Sequence, residues 1–278
     1  MYDNNAVVVE PEAERVGKKV AVIELFGPTI QGEGPLVGSK TMFVRFGGCD
    51  YRCTKCDSLH AVIPEAVKKH ASYLTQDEIA DQLLALMEAS NTPWVTLSGG
   101  NPLMWDLTQL VDRLHAAGKL VAVETQGTLY HAWLQKVDCL VISPKSPGMG
   151  EKFEPEKFVN MLLQTRYSET PPIIALKVVV FSQQDIDFAL DVAEVAEAAG
   201  FPFLDGLKYM SLGNYHPPTL DESLNLLEPS FDKDDPLIAQ LMHDFRILIE
   251  DFCNDPRVTD WRFLPQLHVL AFGNEAGR

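Results

Sequence analysis

Three cysteines that could bind one metal cofactor lie close together in the chain. Cys49, Cys53 and Cys56 have the spacing C-x3-C-x2-C, in a loop that follows a predicted strand and begins at Gly47-Gly48. Iron–sulfur clusters usually take four cysteine ligands, so three leave one iron open to bind another molecule. The alternative is a zinc site with His60 as the fourth ligand, although structural zinc sites usually pair two C-x2-C-like elements. The spacing favours a cluster with an open iron.

A pair of glycines forms a second candidate binding segment. Gly99 and Gly100 stand in the run Thr96-Leu-Ser-Gly-Gly-Asn-Pro102, between a predicted strand and a helical segment. Glycines let a ligand approach the backbone closely and expose amide groups to it. An ordinary tight loop also uses adjacent glycines, so the pair alone leaves both interpretations open.

Polar residues also follow two later predicted strands. Glu124 begins the run Glu-Thr-Gln-Gly-Thr, and Lys145 ends the run Ser143-Pro144-Lys145. Barrels built from β/α units place their active sites at this end of the strands. The alternatives are that Glu124 closes a local hydrogen bond and that Lys145 is a solvated surface lysine.

The elements that must position these loops alternate between apolar, β-branched runs and helical patterns, which predicts an α/β fold with a parallel sheet and right-handed crossovers. The predicted strands span residues 20–26, 41–46, 94–97, 120–124, 139–142, 173–180, 207–211 and 261–264. The predicted helices span residues 75–90, 107–117, 155–164, 184–199 and 236–253. Thr75 and Glu78 form a capping-box pattern at the first helix, and Gly200 suits a left-handed cap after the fourth.

We predict one large domain over residues 20–278, because 278 residues with 46% hydrophobic content can bury a substantial core. Residues 1–19 are polar and show no period, so they predict a flexible N-terminal extension. Residues 212–236 carry four prolines and an acidic run at 232–235, which predicts an irregular, exposed loop or insertion.

Charge and cysteine use exclude several classes of protein. A formal net charge of −16 argues against nonspecific binding to nucleic acid or an anionic membrane. No apolar run approaches the roughly 20 residues that span a bilayer, and the N-terminus lacks a signal-peptide pattern. Five cysteines, three of them in one loop, do not suit a secreted disulfide framework. We therefore predict a cytoplasmic protein without nucleic-acid or membrane partners.

The cysteine spacing is the signature of the radical S-adenosylmethionine (SAM) superfamily, and Gly99-Gly100-Asn101-Pro102 resembles its Gly-Gly-Glu-Pro motif with Asn101 in place of Glu. The resemblance implies a partial, open barrel of about six β/α units. It also implies a 4Fe–4S cluster on Cys49, Cys53 and Cys56, with SAM bound at the open iron. The SAM-binding residues that it implies are Lys55, Asp57, Gly99, Gly100, Glu124, Ser143, Pro144 and Lys145.

Longer runs narrow this resemblance. Residues 23–34, 43–46, 56–58 and 265–274, with the motifs above, are similar to the 7-carboxy-7-deazaguanine synthase family. The similarity implies a lyase that converts 6-carboxy-5,6,7,8-tetrahydropterin into 7-carboxy-7-deazaguanine with loss of ammonia, in the biosynthesis of queuosine and other deazapurines. It further implies a homodimer and an electron donor such as a flavodoxin or ferredoxin.

A carboxylated pterin needs a cation for its carboxylate and donors and acceptors for its ring edge. The substrate-binding residues implied by the resemblance are Ile30, Gln31, Gly32, Glu33, Arg45, Ser98 and His268. Ser58 stands where relatives place a hydroxyl ligand of Mg²⁺, which takes few protein ligands. The alternatives are a surface turn with a salt bridge for Gln31–Glu33 and Arg45, and a core histidine on a strand for His268.

Two rival functions share part of this pattern. An activase that generates a glycyl radical on a partner protein needs the cysteine loop but no pterin pocket, and the Gln31–Glu33 turn with Arg45 argues against it. An iron–sulfur electron-transfer or metal-binding module needs a fourth ligand and no SAM site. Gly99-Gly100 and the barrel-like chain length argue against that module.

Overall fold

The computed structural model describes residues 17–166, 170–225 and 236–273. In these ranges nine strands form one sheet: β1 (Lys19–Ile30), β2 (Lys40–Phe46), β3 (Ser72–Thr75), β4 (Trp94–Gly99), β5 (Leu120–Thr125), β6 (Cys139–Ile142), β7 (Ile173–Val180), β8 (Lys208–Leu212) and β9 (Trp261–Leu264). Their order is β3-β1-β2-β4-β5-β6-β7-β8-β9. Because β3 and β9 form separate edges, the sheet is open, which confirms the prediction of a partial barrel.

Strand direction changes at the N-terminal edge of the sheet. Strands β2 and β4 to β9 run parallel to one another, as predicted. Strand β1 pairs antiparallel with both β2 and β3. The connection from Ile30 to Lys40 is too short for a parallel crossover, which needs a dozen or more residues. The sheet is therefore mixed, and the short strand β3 was not predicted.

The described helices lie between and after the strands. They are α1 (Leu59–Val62), α2 (Pro64–His70), α3 (Gln76–Ser90), α4 (Thr108–Ala116), α5 (Pro155–Arg166), α6 (Gln183–Ala198), α7 (Leu220–Asn225), α8 (Pro236–Asn254) and α9 (Leu267–Phe272). Short 3₁₀ turns occur at Gly34–Leu36, Pro102–Met104, Ala132–Gln135, Pro147–Met149 and Pro256–Val258. None of the helices in the described part of the chain is long and apolar enough to cross a membrane.

Local signals explain where the predicted helices begin and end. The Thr75 hydroxyl accepts a hydrogen bond from the Glu78 amide at 3.2 Å, and the Glu78 carboxylate accepts one from the Thr75 amide at 2.7 Å. This capping box begins α3, as predicted. After α6, Gly200 adopts a φ of 82°, the left-handed conformation that its position predicted.

One apolar core joins the sheet to helices α3 to α6. It includes a fully buried residue from each of these helices: Leu83, Leu110, Met161 and Ile186. All four residues of β6 are buried, because both faces of this central parallel strand are covered. Each large apolar side chain removed from water contributes about 1.5–3 kcal/mol, so this core fixes the ends of the parallel strands.

Two segments differ from the predictions. His268 lies in helix α9, so its predicted position on a strand was wrong. In the segment predicted as an exposed loop, Leu212 and Asn214 are buried and Leu220–Asn225 forms α7. Residues 1–16 of the predicted extension and residues 226–235 of the predicted insertion lie outside the described residues.

Candidate active site

Loops at the carboxyl ends of the parallel strands line a cavity of about 470 Å³. The cavity brings together most of the predicted site residues: Ile30, Gln31, Gly32, Glu33, Arg45, Cys49, Cys53, Lys55, Cys56, Asp57, Ser58, Ser98, Gly99, Gly100, Glu124, Lys145 and His268. Ser143 and Pro144 are buried behind the cavity surface and do not line it. The Ser143 hydroxyl instead accepts a hydrogen bond from the Lys145 ammonium at 3.2 Å.

The cysteine loop connects β2 to α1 and is held by backbone hydrogen bonds. The Gly48 amide donates to the Ala61 carbonyl at 2.8 Å, and the Thr54 amide donates to the Met149 carbonyl at 2.9 Å. The three cysteines are free and half-buried. Burial raises the pKa of Cys53 to about 11 and that of Cys56 to about 12, so a bound metal must displace their protons.

The donor set fits an iron–sulfur cluster better than a zinc ion. Across the described ranges, no three Cys, His, Asp or Glu side chains converge closely enough to hold a single metal ion. A 4Fe–4S cluster instead binds each thiolate to a different iron, so its ligands stand further apart. The alternative zinc ligand His60 has its Nε2 atom 3.7 Å from Oε1 of Glu24. Three thiolates from one loop are the ligand type that such a cluster takes, and they leave one iron open.

Close backbone packing explains the glycine pair. A Cβ atom at Gly99 would lie 2.2 Å from the Phe46 carbonyl oxygen, and one at Gly100 would lie 2.3 Å from the Gly48 oxygen. The Gly100 amide donates to the Phe46 carbonyl at 3.0 Å. Any side chain at either position would separate the end of β4 from the cysteine loop. The pair therefore fixes two walls of the cavity against each other and also presents its backbone to the cavity.

A buried lysine that the sequence analysis did not single out joins two predicted site residues. Lys177 of β7 is 2% exposed, and its ammonium donates to Glu33 at 2.8 Å and also to Glu124. Burial alone would raise the pKa of Glu33, but the charge of Lys177 and the proximity of His268 hold it at about 2. Burial would lower the pKa of Lys177, but the two carboxylates raise it above its ordinary value. Glu33 and Lys177 are therefore both charged at neutral pH.

A second cluster of charged and polar side chains lies around Arg45. Its Nε atom donates to Glu24 at 2.8 Å, and one terminal nitrogen donates to the Ser58 hydroxyl at 2.9 Å. The Ser58 hydroxyl donates in turn to Asp57 at 2.9 Å. Burial would raise the pKa of Glu24, but His60 and Arg45 lower it to about 2. Glu24 and His60 are neighbours that the motifs did not predict as site residues.

Helix α9 packs over the turn that carries Gln31 and Glu33. The Gln31 side-chain oxygen accepts from the Gly32 amide at 2.7 Å, and the Leu267 amide donates to the Gly32 carbonyl at 3.2 Å. Gln266 lies near the same turn, with its amide nitrogen 3.4 Å from a Glu33 oxygen. These contacts place His268 of α9 at the cavity, so its neighbours include polar groups and a buried carboxylate rather than core residues alone.

Comparisons with known proteins agree with this fold and site. Residues 43–211 match the model of the radical SAM superfamily. The crystal structure of QueE from Escherichia coli superposes with a TM-score of 0.56, covers 89% of this chain and 94% of its own, and is 21% identical in sequence. This structural likeness supports the open α/β fold. The fold and the cysteine loop thus define a radical SAM enzyme, which uses a 4Fe–4S cluster and SAM.

Similarity to curated relatives identifies the family within this class. The 7-carboxy-7-deazaguanine synthase of Bacillus subtilis is 36% identical over 263 residues, which cover 94% of this chain and 100% of the relative. The enzyme of the same name from Bacillus cereus is 35% identical over 260 residues, which cover 93% and 99%. The chain belongs to the 7-carboxy-7-deazaguanine synthase family.

Proposed function

We propose that this enzyme converts 6-carboxy-5,6,7,8-tetrahydropterin into 7-carboxy-7-deazaguanine with loss of ammonia, a step towards queuosine and related deazapurines. The observation that carries the proposal is one cavity that joins the three-cysteine loop to Arg45 and to the Glu33–Lys177 ion pair. A cluster loop alone would suit many radical reactions. The enclosed cavity with its own cation and carboxylate favours a small, carboxylated, nitrogen-rich substrate over a protein partner.

The residues present fit the groups that the reaction needs. Cys49, Cys53 and Cys56 would hold the cluster, and SAM would lie against the glycine pair, Glu124, Lys145 and the other residues implied by the resemblance. When bound, the cluster and SAM supply a 5′-deoxyadenosyl radical that takes a hydrogen atom from C6 of the pterin. The chain itself positions the substrate and excludes water from the radical.

Arg45 and Ser58 form the end of the cavity that suits a carboxylate and a divalent cation. The guanidinium is planar and presents several donors, so it can bind Glu24 and a substrate carboxylate at the same time. The Ser58 hydroxyl oxygen lies 2.9 Å from a terminal nitrogen of Arg45 and 2.9 Å from a carboxylate oxygen of Asp57. Oxygen ligands and a positive charge therefore lie together here. We assign this position to Mg²⁺, with Ser58 as its protein ligand.

Glu33 and Gln31 form the end that suits the pterin ring. A 2-aminopyrimidinone edge presents N–H donors, and an ionised carboxylate accepts two of them. Lys177 keeps Glu33 charged in a buried setting, which is the condition for that pairing. His268 of α9 and Ser98 of β4 complete the proposed contacts from opposite sides of the cavity.

The reaction also needs an electron donor and a reducing compartment. We assign the donor to the flavodoxin or ferredoxin class, because its electron must reach a low-potential cluster. A cytoplasmic location fits three cysteines that must stay reduced, and we expect the homodimer that the family resemblance implies. These assignments rest on the class of enzyme.

The test is turnover after anaerobic cluster reconstitution, with SAM, reductant, Mg²⁺ and the carboxypterin. We expect 7-carboxy-7-deazaguanine, detected by mass, and we expect Cys53→Ala to abolish both product and SAM cleavage. Ser58→Ala should raise the Mg²⁺ concentration for half-maximal rate, while Ser58→Thr, which keeps the hydroxyl, should not. SAM cleavage without the deazaguanine product would refute the substrate but leave the superfamily intact.

A further inference from the structure

Asp50 directly follows the first cluster cysteine and accepts three side-chain hydrogen bonds. Asn101 Nδ2 donates to Asp50 Oδ1 at 2.9 Å, the Gln126 amide donates to the same oxygen, and the Thr128 hydroxyl donates to Oδ2. The three donors are buried, and they come from the segments after β4 and β5. One carboxylate therefore ties the cysteine loop to both neighbouring loops.

Both the nitrogen and the oxygen of the Asn101 side-chain amide are hydrogen-bonded in this arrangement. Its Oδ1 atom accepts from the Leu103 amide at 3.1 Å and from the Thr125 hydroxyl at 3.0 Å. Because a backbone N–H can only donate, the oxygen must face Leu103, and the nitrogen must then face Asp50. The position needs a donor and an acceptor on one short side chain, and an amide provides both.

A glutamate, the residue of the superfamily motif, would not meet this need. An ionised carboxylate offers acceptors only, so it could not donate to Asp50. It would also place a second negative charge beside the Asp50 carboxylate in a setting where Asn101 is fully buried. The presence of Asp50 therefore explains why asparagine stands at position 101.

The same contacts enclose Cys49 from both sides. The backbone N–H of Asn101 donates to the Gly48 carbonyl at 2.7 Å, one residue before Cys49. Gln126 Nε2 lies 3.9 Å from Cys49 Sγ, and the same nitrogen donates to Asp50, the residue after Cys49. Hydrogen bonds to cluster sulfurs and nearby charge influence the reduction potential of an iron–sulfur centre.

We propose that Asp50 and Asn101 form a matched carboxylate–amide pair that positions Cys49 for cluster binding. Asn101 acts through the cysteine loop and is a positioning residue. The proposal depends on the cluster and is independent of the pterin, so its test needs no carboxypterin and can fail while the proposed substrate stands.

Two single variants and a double variant, in which the residues at positions 50 and 101 are exchanged, test the pair. Asn101→Asp removes the donor and brings two carboxylates together, so we expect poor cluster binding. Asp50→Asn keeps an acceptor for Asn101 and should be mild. The double variant Asp50→Asn/Asn101→Asp restores one donor and one acceptor with their places exchanged, once the Gln126 amide turns over, and should recover. Gln109→Glu is the matched control, because it alters another amide–carboxylate contact, the 2.7 Å bond to Asp77 between α3 and α4.

The readouts are iron and sulfide per chain after anaerobic reconstitution, the half-life of the cluster absorbance in air, and the SAM-induced change in the electron paramagnetic resonance spectrum of the reduced cluster. We expect Asn101→Asp to shorten the half-life roughly tenfold and to weaken the spectral change. The double variant should return to within about twofold of the unaltered chain. The unfolding temperature of the cluster-free protein serves as the control for folding.

Two results would overturn the proposal: a cluster of ordinary lifetime in Asn101→Asp, or a double variant that folds and does not recover. If Asn101→Asp fails to fold, the variant Thr128→Val tests the proposal instead. It removes only one of the three hydrogen bonds to Asp50, so its cluster lifetime must fall below that of the unaltered chain. An unchanged lifetime in Thr128→Val would then count against the pair.

Discussion

The Lys177 ammonium is the cation that pairs with two carboxylates of the cavity. It lies on β7, is almost fully buried, and contacts both Glu33 and Glu124. Moving a charged group out of water costs several kcal/mol, so such groups persist only where their partners are well placed. Because Glu33 belongs to the proposed pterin end and Glu124 to the proposed SAM end, one ammonium orients a group in each.

Replacing Lys177 by methionine should make substrate binding depend on pH. Without the ammonium, burial dominates and raises the pKa of Glu33 from about 2, so this carboxylate gains a proton as the pH falls. We expect the dissociation constant of the carboxypterin to rise towards acidic pH in Lys177→Met and to stay level in the unaltered enzyme between pH 6 and 8. Calorimetric titration with unreduced, SAM-bound enzyme measures it.

The groups that act on Glu33 come from several elements: Lys177 of β7, Ser211 of β8, His268 of α9 and Gln266 directly before α9. Lys177→Arg keeps the charge and should retain level binding. Lys208→Met is the control, since it removes an ion pair with Asp260, the residue before the neighbouring strand β9. Breaking a buried pair also costs about 3–5 kcal/mol, so unfolding curves must accompany the titration. A pH-independent dissociation constant in a folded Lys177→Met would contradict this account.

At the scale of elements, periodic and capping signals predicted most of the fold. The strands around Trp94, Cys139 and Ile173 begin where the apolar runs begin, because both faces of a central parallel strand are buried. The capping box at Thr75 fixed the beginning of α3. Two short elements escaped prediction. Helix α9 has six residues, which is too few for a period to appear, and β3 lacks the apolar run that marked the equally short β6 and β9.

Motifs predicted the residues that line the cavity, but pairing between distant residues was beyond them. Lys177 carried one signal, a single cation within an otherwise apolar strand, which is unusual for a buried position. Its contact with Glu33 spans 144 positions in the chain, so only the folded structure reveals it. Glu24 was equally hidden, because its pairing with Arg45 depends on the antiparallel register of β1 and β2.

Helix α9 depends on the absence of a side chain at Gly32. A Cβ atom there would lie 2.3 Å from His268 Nδ1 and 2.9 Å from the His268 amide nitrogen. We therefore expect Gly32→Ala to displace α9, to speed amide hydrogen exchange in residues 267–272, and to weaken carboxypterin binding at least roughly tenfold. Hydrogen exchange followed by mass spectrometry measures the first effect.

The cysteine loop supplies the contrast for this variant. Gly32 lies on the turn beneath α9, and no contact of the turn reported above reaches Cys49, Cys53 or Cys56, so iron content and SAM cleavage should stay unchanged in Gly32→Ala. Adding His268→Ala removes the imidazole that the new methyl group meets but leaves the 2.9 Å approach to the backbone nitrogen of residue 268, so it should slow the exchange of α9 only in part. Unaltered exchange in Gly32→Ala would show that α9 is held by other contacts.

For the whole molecule, acid pH has two opposed effects on stability. At neutral pH the net charge of −16 means that negatively charged groups repel one another. This repulsion lessens as surface carboxylates take up protons. Buried carboxylates act in the other direction. Arg45 and His60 hold the pKa of Glu24 at about 2 against the effect of burial, well below its ordinary value of 4.5. Its contribution is therefore fully present above about pH 5 and is lost as the pH falls towards 2.

Glu24→Gln separates these two effects. The substitution keeps the shape and one acceptor but removes the charge that binds Arg45, and the depressed pKa limits the loss to roughly 3 kcal/mol at pH 6. In urea unfolding of the cluster-free protein, the difference from the unaltered chain should narrow steadily from pH 6 to pH 3. Glu65→Gln changes the net charge equally at an exposed position and should follow the unaltered chain throughout. A difference for Glu24→Gln that stays constant with pH would mean that the Glu24–Arg45 ion pair does not stabilise the fold, because only the ionised carboxylate can gain from the guanidinium.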